Sequence, residues 1–164
     1  MKKIVLTKQQ IRKLKQLSID SAKKRNLPNG AILVDDKNQI VSFSQSLVAS
    51  NTDATAHAER LVIEKYCKKV KSPIVKNIKL ITVIESCLMC LSACYWAGID
   101  EVYYILPASF YWEKIPWLIE SKQIDKQKLI NQFEPPVKLF WLKDLVDEFK
   151  PIFEEYVKNV ISRG

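Results

Sequence analysis

The sequence predicts an α/β domain, and three stretches carry that assignment. Leu80-Ile81-Thr82-Val83-Ile84 is an unbroken apolar run of strand length, Cys87–Ala97 is an apolar helical segment stopped by Gly98, and Val102-Tyr103-Tyr104-Ile105 is a further strand. Strand, helix and strand at this spacing form a βαβ unit, with its strands parallel and its connection right-handed. Gly98 is the residue type that closes a helix in the left-handed region. Upstream, Ala31–Val34 and Gln39–Phe43 flank Asp35-Asp36-Lys37-Asn38, which is a β-hairpin pattern. In an α/β sheet a ligand belongs at the carboxyl end of a parallel strand, here where Cys87 begins.

The other elements follow in chain order. Thr7 is an N-cap type for a helix reaching about Asn26, with Ile11, Leu14, Leu17, Ser18 and Ala22 as its inner stripe and lysines outside. Asn26–Gly30 breaks that helix with Pro28 and Gly30. Ser44–Thr52 is polar, lacks periodicity and reads as a loop. Thr55–Lys69 sets Ala58, Leu61, Val62 and Tyr66 at helical spacing, with Asp53 and Thr55 as N-cap types. Lys71–Asn77, containing Pro73, is a second loop. Phe110-Tyr111-Trp112 through Trp117 is dense in aromatics, Gln123–Asn131 is polar with weak helical signals, and Val137–Trp141 fits a short fifth strand. Asp144–Val160 is an amphipathic helix with Leu145, Phe149, Ile152, Phe153, Tyr156 and Val160 on one face, and Pro151 inside it predicts a break or kink.

At 164 residues the chain predicts one domain, residues 1–164, and its 48% hydrophobic share is enough for a real core. Lys and Arg number 26 against 18 Asp and Glu, a net charge of +8 that is compatible with nucleic acid or anionic substrates. The lysines are spread along the chain, however, and no aromatic-basic recognition module is visible. No apolar run reaches bilayer length, and Met1-Lys2-Lys3 leads into an amphipathic segment rather than a signal-peptide core. A cytoplasmic location with no membrane partner is therefore expected, and there the four cysteines read as thiols.

The chemistry lies in two short stretches, Asp53-Ala54-Thr55-Ala56-His57-Ala58-Glu59 and Glu85-Ser86-Cys87-Leu88-Met89-Cys90. One imidazole, His57, and two thiolates, Cys87 and Cys90, make a three-ligand set for zinc. Such a set leaves the fourth tetrahedral position open, as catalytic rather than structural sites do. Glu59 is then the proton carrier between water and substrate. His57 and Glu59 are two apart and converge only near a helix end, whereas Cys87 and Cys90 are three apart and share a helix face. Ser86 is a capping type for that second helix, whose N-terminus favours thiolates. A redox Cys-x-x-Cys pair would leave His57 and Glu59 without a role. Cys94, one turn beyond Cys90, sits in an apolar helix and reads as a buried inert thiol, as does Cys67. Glu64 is expected to face solvent, and Glu85 to orient a ligand or a loop. Tyr95 and Trp96 fit the core, a base pocket or a subunit interface. His-x-Glu with Cys-x-x-Cys is the constellation of the zinc deaminases of nucleobases.

These stretches resemble the cytidine and deoxycytidylate deaminase-like superfamily. Asp53–Glu59 and Cys87–Ala97, including Cys90-Leu91-Ser92-Ala93-Cys94-Tyr95-Trp96-Ala97, are most similar to bacterial guanine deaminases and related nucleoside deaminases. Pro28-Asn29-Gly30-Ala31-Ile32-Leu33-Val34 resembles that family's first strand, so the resemblance covers residues 7–105, while segment 106–164 carries no matching piece. It implies a three-layer α/β/α sandwich around a mixed central sheet, a zinc cofactor and a homodimer. It also implies hydrolytic deamination of a nucleobase or nucleoside, a purine ahead of a pyrimidine. Ser46 and the backbone N–H groups of Ala58 and Cys87 are the implied substrate contacts. Ser86 and Ala54 replace frequent prolines, and Ser46 stands where relatives carry a base-contacting asparagine. The family's acidic C-terminal substrate residues have no counterpart here. Two alternatives stay open: a tRNA adenosine deaminase, favoured by charge though not by Tyr95-Trp96-Ala97, and a zinc-holding interaction protein without activity, motivated by the altered base-contact positions.

Overall fold

The structure, a computed structural model, describes residues 4–115, 122 and 124–161, without the side chains of 159–161. Thr7 caps helix α1 (Lys8–Lys23) reciprocally. Its hydroxyl accepts the Gln10 N–H while the Gln10 side chain accepts the Thr7 N–H. Two N–H groups that a helix start leaves unpaired are thereby satisfied. The helix stops at Lys23, short of the expected Asn26, because the N–H groups of Lys24 and Asn26 both turn back onto the Ser21 carbonyl. Its buried face is Gln10, Leu14, Leu17, Ser18 and Ser21, rotated from the expected stripe so that Ile11 and Ala22 are half-buried.

Gly30 opens β1 (Gly30–Val34), and a Cβ there would lie 2.5 Å from the Leu17 Cβ, so glycine lets the strand pass this close to α1. Strand β2 (Ile40–Gln45) returns antiparallel to β1, closing the expected hairpin. The stretch Ser44–Thr52 is not a loop throughout. The strand continues to Gln45, and Val48–Asn51 forms a short helix α2, anchored where the Asn26 side-chain oxygen accepts the N–H groups of Ala49 and Ser50. Helix α3 (Ala58–Val70), β3 (Lys79–Ile84), α4 (Leu88–Ala97) and β4 (Glu101–Leu106) follow, with Gly98 ending α4 at φ +76°. After a 3-10 turn at Ala108–Tyr111 come α5 (Lys126–Ile130), β5 (Lys138–Trp141) and, beyond a second such turn at Lys143–Leu145, α6 (Val146–Ile161).

The strands form one sheet in the order β2-β1-β3-β4-β5, antiparallel on the β1 side and parallel from β3 to β5. The sheet is mixed, and helices cover both faces. Ile32, Val34, Ile81 and Tyr103 pack with Leu14 and Leu17 of α1 and Phe149 and Phe153 of α6. Ala31, Leu33, Leu80 and Val102 pack on the other face with Val62 of α3 and Leu91 and Cys94 of α4. Central strand β3 is buried on both faces, which is why its sequence is a continuous apolar run rather than an alternation.

The C-terminal segment is integral to this core: β5 extends the sheet and α6 lies against α1. Tyr111 and Ile115 are fully buried there, so they are core, while Phe110 beside them is 40% exposed; Trp117 lies outside the described residues. Trp96, by contrast, is 78% exposed on α4 and belongs to no core. Helix α6 starts at Val146 rather than Asp144 and continues through Pro151 without the expected break. Pro151 sits on the exposed side, and the carbonyl it leaves without an N–H belongs to Asp147, itself an exposed residue. The buried stripe is Phe149, Phe153 and Val157; the side chain of Val160 is outside the described set. Among the described residues no helix is long and apolar enough to cross a membrane.

Candidate active site

Two helix starts meet at the carboxyl end of β3. His57 is the N-cap of α3, and Cys87 is the N-cap of α4. The capping roles expected for Asp53, Thr55 and Ser86 are thus taken by the donor residues themselves. Asp53 instead closes the turn before α3, accepting the Thr55 N–H at 2.8 Å and its hydroxyl at 2.7 Å. The N–H groups that start each helix still favour negative charge at this spot.

His57 Nδ1 lies 3.6 Å from Cys87 Sγ and 3.6 Å from Cys90 Sγ, and the three donor atoms all fall within 4.8 Å of one another. Zinc bonds of about 2.3 Å to sulfur and about 2.05 Å to nitrogen, at a tetrahedral angle, separate N and S by about 3.6 Å. The residues present therefore fit zinc, and among the described residues this is the one such cluster. Cys94 is fully buried outside it, its thiol pushed up by burial, as an inert core thiol should be. Cys67 is only half-buried, and burial raises its thiol too.

The donor side chains polarise one another. The neighbouring Cys90 thiol, and then His57, pull the Cys87 thiol down to about 4. The Cys90 thiol is held well above the usual thiol range by Cys87 and by burial. Contact with Cys87, and then the charge of Glu59, raises His57. Glu59 is 2% exposed, and burial, reinforced by the negative charge of Cys87, moves its carboxyl upward. A carboxyl whose protonated form is favoured in this way takes up a proton more readily than an ordinary solvent carboxylate.

Glu59 is held from two sides. Ser86 Oγ donates to its Oε1 at 3.1 Å, and Asn29 Nδ2 donates to its Oε2 at 3.1 Å. Ser86 thus turns its hydroxyl to the carboxylate rather than capping α4. Its own carbonyl accepts from Lys126 Nζ at 2.9 Å, and Lys126 pairs with Glu85 at 2.6 Å. Glu85 also accepts the Ala108 N–H at 3.0 Å, so it orients the loop after β4, as one of its two expected roles had it. Glu64 faces solvent and pairs with Arg60 and Lys68 on α3. Sequence reasoning missed Asn29 and Lys126. Asn29 read as part of a helix-breaking turn leading into the first strand, and Lys126 sits in a polar stretch whose weak helical signals do not betray its burial.

Ser46 follows β2 directly and is 4% exposed. Its N–H donates to the Asn29 carbonyl at 3.0 Å, so Asn29 joins Ser46 to Glu59. Ala58 and Cys87 lie at the two helix starts, where backbone N–H groups lack intrahelical partners.

The Lys126–Glu85 pair ties α5 to the cysteine loop, and its side chains are only 5% and 15% exposed. Replacing Lys126 by Met leaves Glu85 charged and nearly buried without its cation. Such half-broken pairs lose about 3–5 kcal/mol. Denaturant unfolding of Lys126→Met is expected to show a loss of that size; a midpoint within error of wild type would show that the pair holds nothing.

The family pattern described as the cytidine and deoxycytidylate deaminase zinc-binding region matches residues 6–106. Over 77 residues the chain is 40% identical to a guanine deaminase of Bacillus subtilis, covering 47% of this chain and 49% of that one. Over 79 residues it is 33% identical to a tRNA-specific adenosine deaminase of Aquifex aeolicus, covering 48% and 52%. The matches thus span about half the length of these relatives. A solved guanine deaminase from Nitrosomonas europaea superposes with a TM-score of 0.73 over 94% of this chain and 86% of its own, and at 16% identity that likeness shows the fold. With the family match spanning well over half of the chain, and with His57, Cys87 and Cys90 gathered as a metal donor set inside it, this protein belongs to the cytidine and deoxycytidylate deaminase zinc-binding family.

Proposed function

We propose that the chain is a zinc-dependent aminohydrolase that deaminates a nucleobase or nucleoside, a purine rather than a pyrimidine, in the manner of guanine deaminases. One observation carries this reading: a buried, upward-shifted carboxylate, Glu59, stands two residues from a donor set whose spacing fits zinc. His57, Cys87 and Cys90 would hold the ion. When bound, zinc supplies an acidified water as the nucleophile. Glu59 takes the proton as the carbon–oxygen bond forms and returns it as the carbon–nitrogen bond breaks, so that ammonia leaves. The N–H groups of Ala58 and Cys87 and the side chain of Ser46 face the substrate in this reading.

Ser46 decides specificity. Asparagine offers a donor and an acceptor, whereas serine is shorter and offers one hydroxyl. A pocket built around hydrogen bonds rejects analogues that leave its groups unpaired. Weak turnover of guanine is expected, with a larger or differently substituted purine preferred. Ammonia release across a panel of bases and nucleosides tests the function, and no release from any of them sinks it. Ser46→Asn is expected to raise guanine turnover; an unchanged rate removes Ser46 from the base contacts.

The second reading, deamination of adenosine in tRNA, is favoured by the net charge of +8 and by the Aquifex relative. It requires tRNA binding that weakens steeply with salt. We also expect the chain to work as one cytoplasmic domain and to self-associate. Two-fold dimers are the commonest closed assemblies, and exposed Trp96 on α4 offers apolar surface for one. Light scattering at micromolar concentration should give twice the chain mass, and a monomer refutes this.

A further inference from the structure

We propose that Asn29 and Ser86 form a two-sided clamp that aims the Glu59 carboxylate, which makes both of them positioning residues for the deamination proposed above; the inference rests on that reading. Each carboxylate oxygen receives one donor, Oε1 from Ser86 Oγ and Oε2 from Asn29 Nδ2, both at 3.1 Å. The donors come from separate parts of the fold: Asn29 directly precedes β1, and Ser86 lies between β3 and α4. Rotation about the last bond of a glutamate is otherwise broad and nearly two-fold, so one donor would leave the carboxylate plane free to turn. Two donors on two oxygens fix it.

The direction of the Asn29 amide is not arbitrary. Its other end lies 3.2 Å from the Ile84 N–H, which can only donate, and 3.1 Å from Thr82 Oγ1. The atom facing Ile84 is therefore the oxygen, and the amide nitrogen must face Glu59. Asn29 is thus pinned to β3 by its acceptor while its donor holds the carboxylate. Ser86 is pinned in turn, since its carbonyl accepts from Lys126. Asn29, Ser86 and Thr82 are all buried, with 4%, 0% and 0% exposure, so water does not compete for these bonds. The proline usual at position 86 in the resembled family has no hydroxyl, so the Ser86 arm is a feature of this chain.

A proton carrier works only when its oxygen meets the reacting atoms in line, and a displacement of about 1 Å costs about 100-fold. The deciding variant is Asn29→Asp. It is nearly isosteric and keeps an oxygen toward Ile84 and Thr82, but it turns an acceptor instead of a donor toward Glu59. With zinc content and KM unchanged, kcat is expected to fall about 10- to 100-fold, and the two buried carboxylates in contact should also lower the melting temperature. Ser86→Ala removes the other arm without adding charge and is expected to lower kcat about 10-fold, with Ser86→Thr recovering it. Because the two arms act as a unit, the double variant should lose less than the product of the single losses. An unchanged kcat in both single variants, or losses in KM or zinc content alone, overturns the clamp. A crystal structure of zinc-loaded Asn29→Asp reads the same point without any turnover. A rotated Glu59 carboxylate supports the clamp, and an unmoved one overturns it. Failure of the deaminase reading shows elsewhere, as wild-type protein that releases no ammonia.

Discussion

A Cys87→Ala, Cys90→Ala variant is expected to purify without zinc, and the wild-type chain is expected to carry one ion per molecule and to lose all turnover when the ion is removed. The expectation follows from the donor set. His57 Nδ1 sits 3.6 Å from each sulfur, the spacing that a tetrahedral zinc imposes. Taking both thiols away leaves a single imidazole, which cannot hold zinc against buffer. The fold should survive, because the site lies at two helix starts on a sheet whose faces carry their own apolar cores. In this it differs from small zinc modules, whose folding depends on the metal outright. Metal analysis of protein purified without added zinc, alongside circular dichroism, checks both statements. Full zinc retention in the double variant sinks the ligand assignment.

The strands and helices around this site were legible because their periodicity is local. β3 announces itself as a bare apolar run, α4 ends at a glycine that takes φ +76°, and the hairpin brackets a polar turn. The metal donors were legible because ligand chemistry restricts residue type and spacing together. What holds Glu59 was not, since its partners come from positions 27 and 30 residues away in the chain. Asn29 has the composition of a turn and the job of a buried hydrogen-bond relay, and only the pairing of β1 with β3 brings the two together. Ser86 shows the same limit at short range. A serine before a helix is an ordinary cap, but here Cys87 occupies the cap and the hydroxyl is drawn to a buried carboxylate. Pro151 does not break α6, and it lies off the buried face, where the amphipathic pattern had already left it. On the solvent side of α6 its missing N–H is cheap.

Glu59→Gln should keep the fold and the zinc while losing about 10²–10⁴-fold in turnover, the usual contribution of a general acid–base group. That range corresponds to about 2.7–5.4 kcal/mol of barrier. The glutamine is nearly isosteric and can keep a hydrogen bond to each of the two partners of Glu59. Its oxygen can accept from Asn29 Nδ2, and its amide can donate to Ser86 Oγ, since a hydroxyl accepts as readily as it donates. The Ser86 hydroxyl gives up its acceptor, but a buried charge is removed, so thermal denaturation should show a midpoint close to that of wild type. What the amide cannot do is take up and release a proton near neutral pH. The loss should therefore fall on kcat, with KM little changed, because the substrate contacts proposed for Ser46 and the helix-start N–H groups are left alone. Steady-state ammonia release on any accepted base or nucleoside, normalised to measured zinc content, is the deciding measurement. A zinc-replete variant that turns over at the wild-type rate removes Glu59 from the proton path.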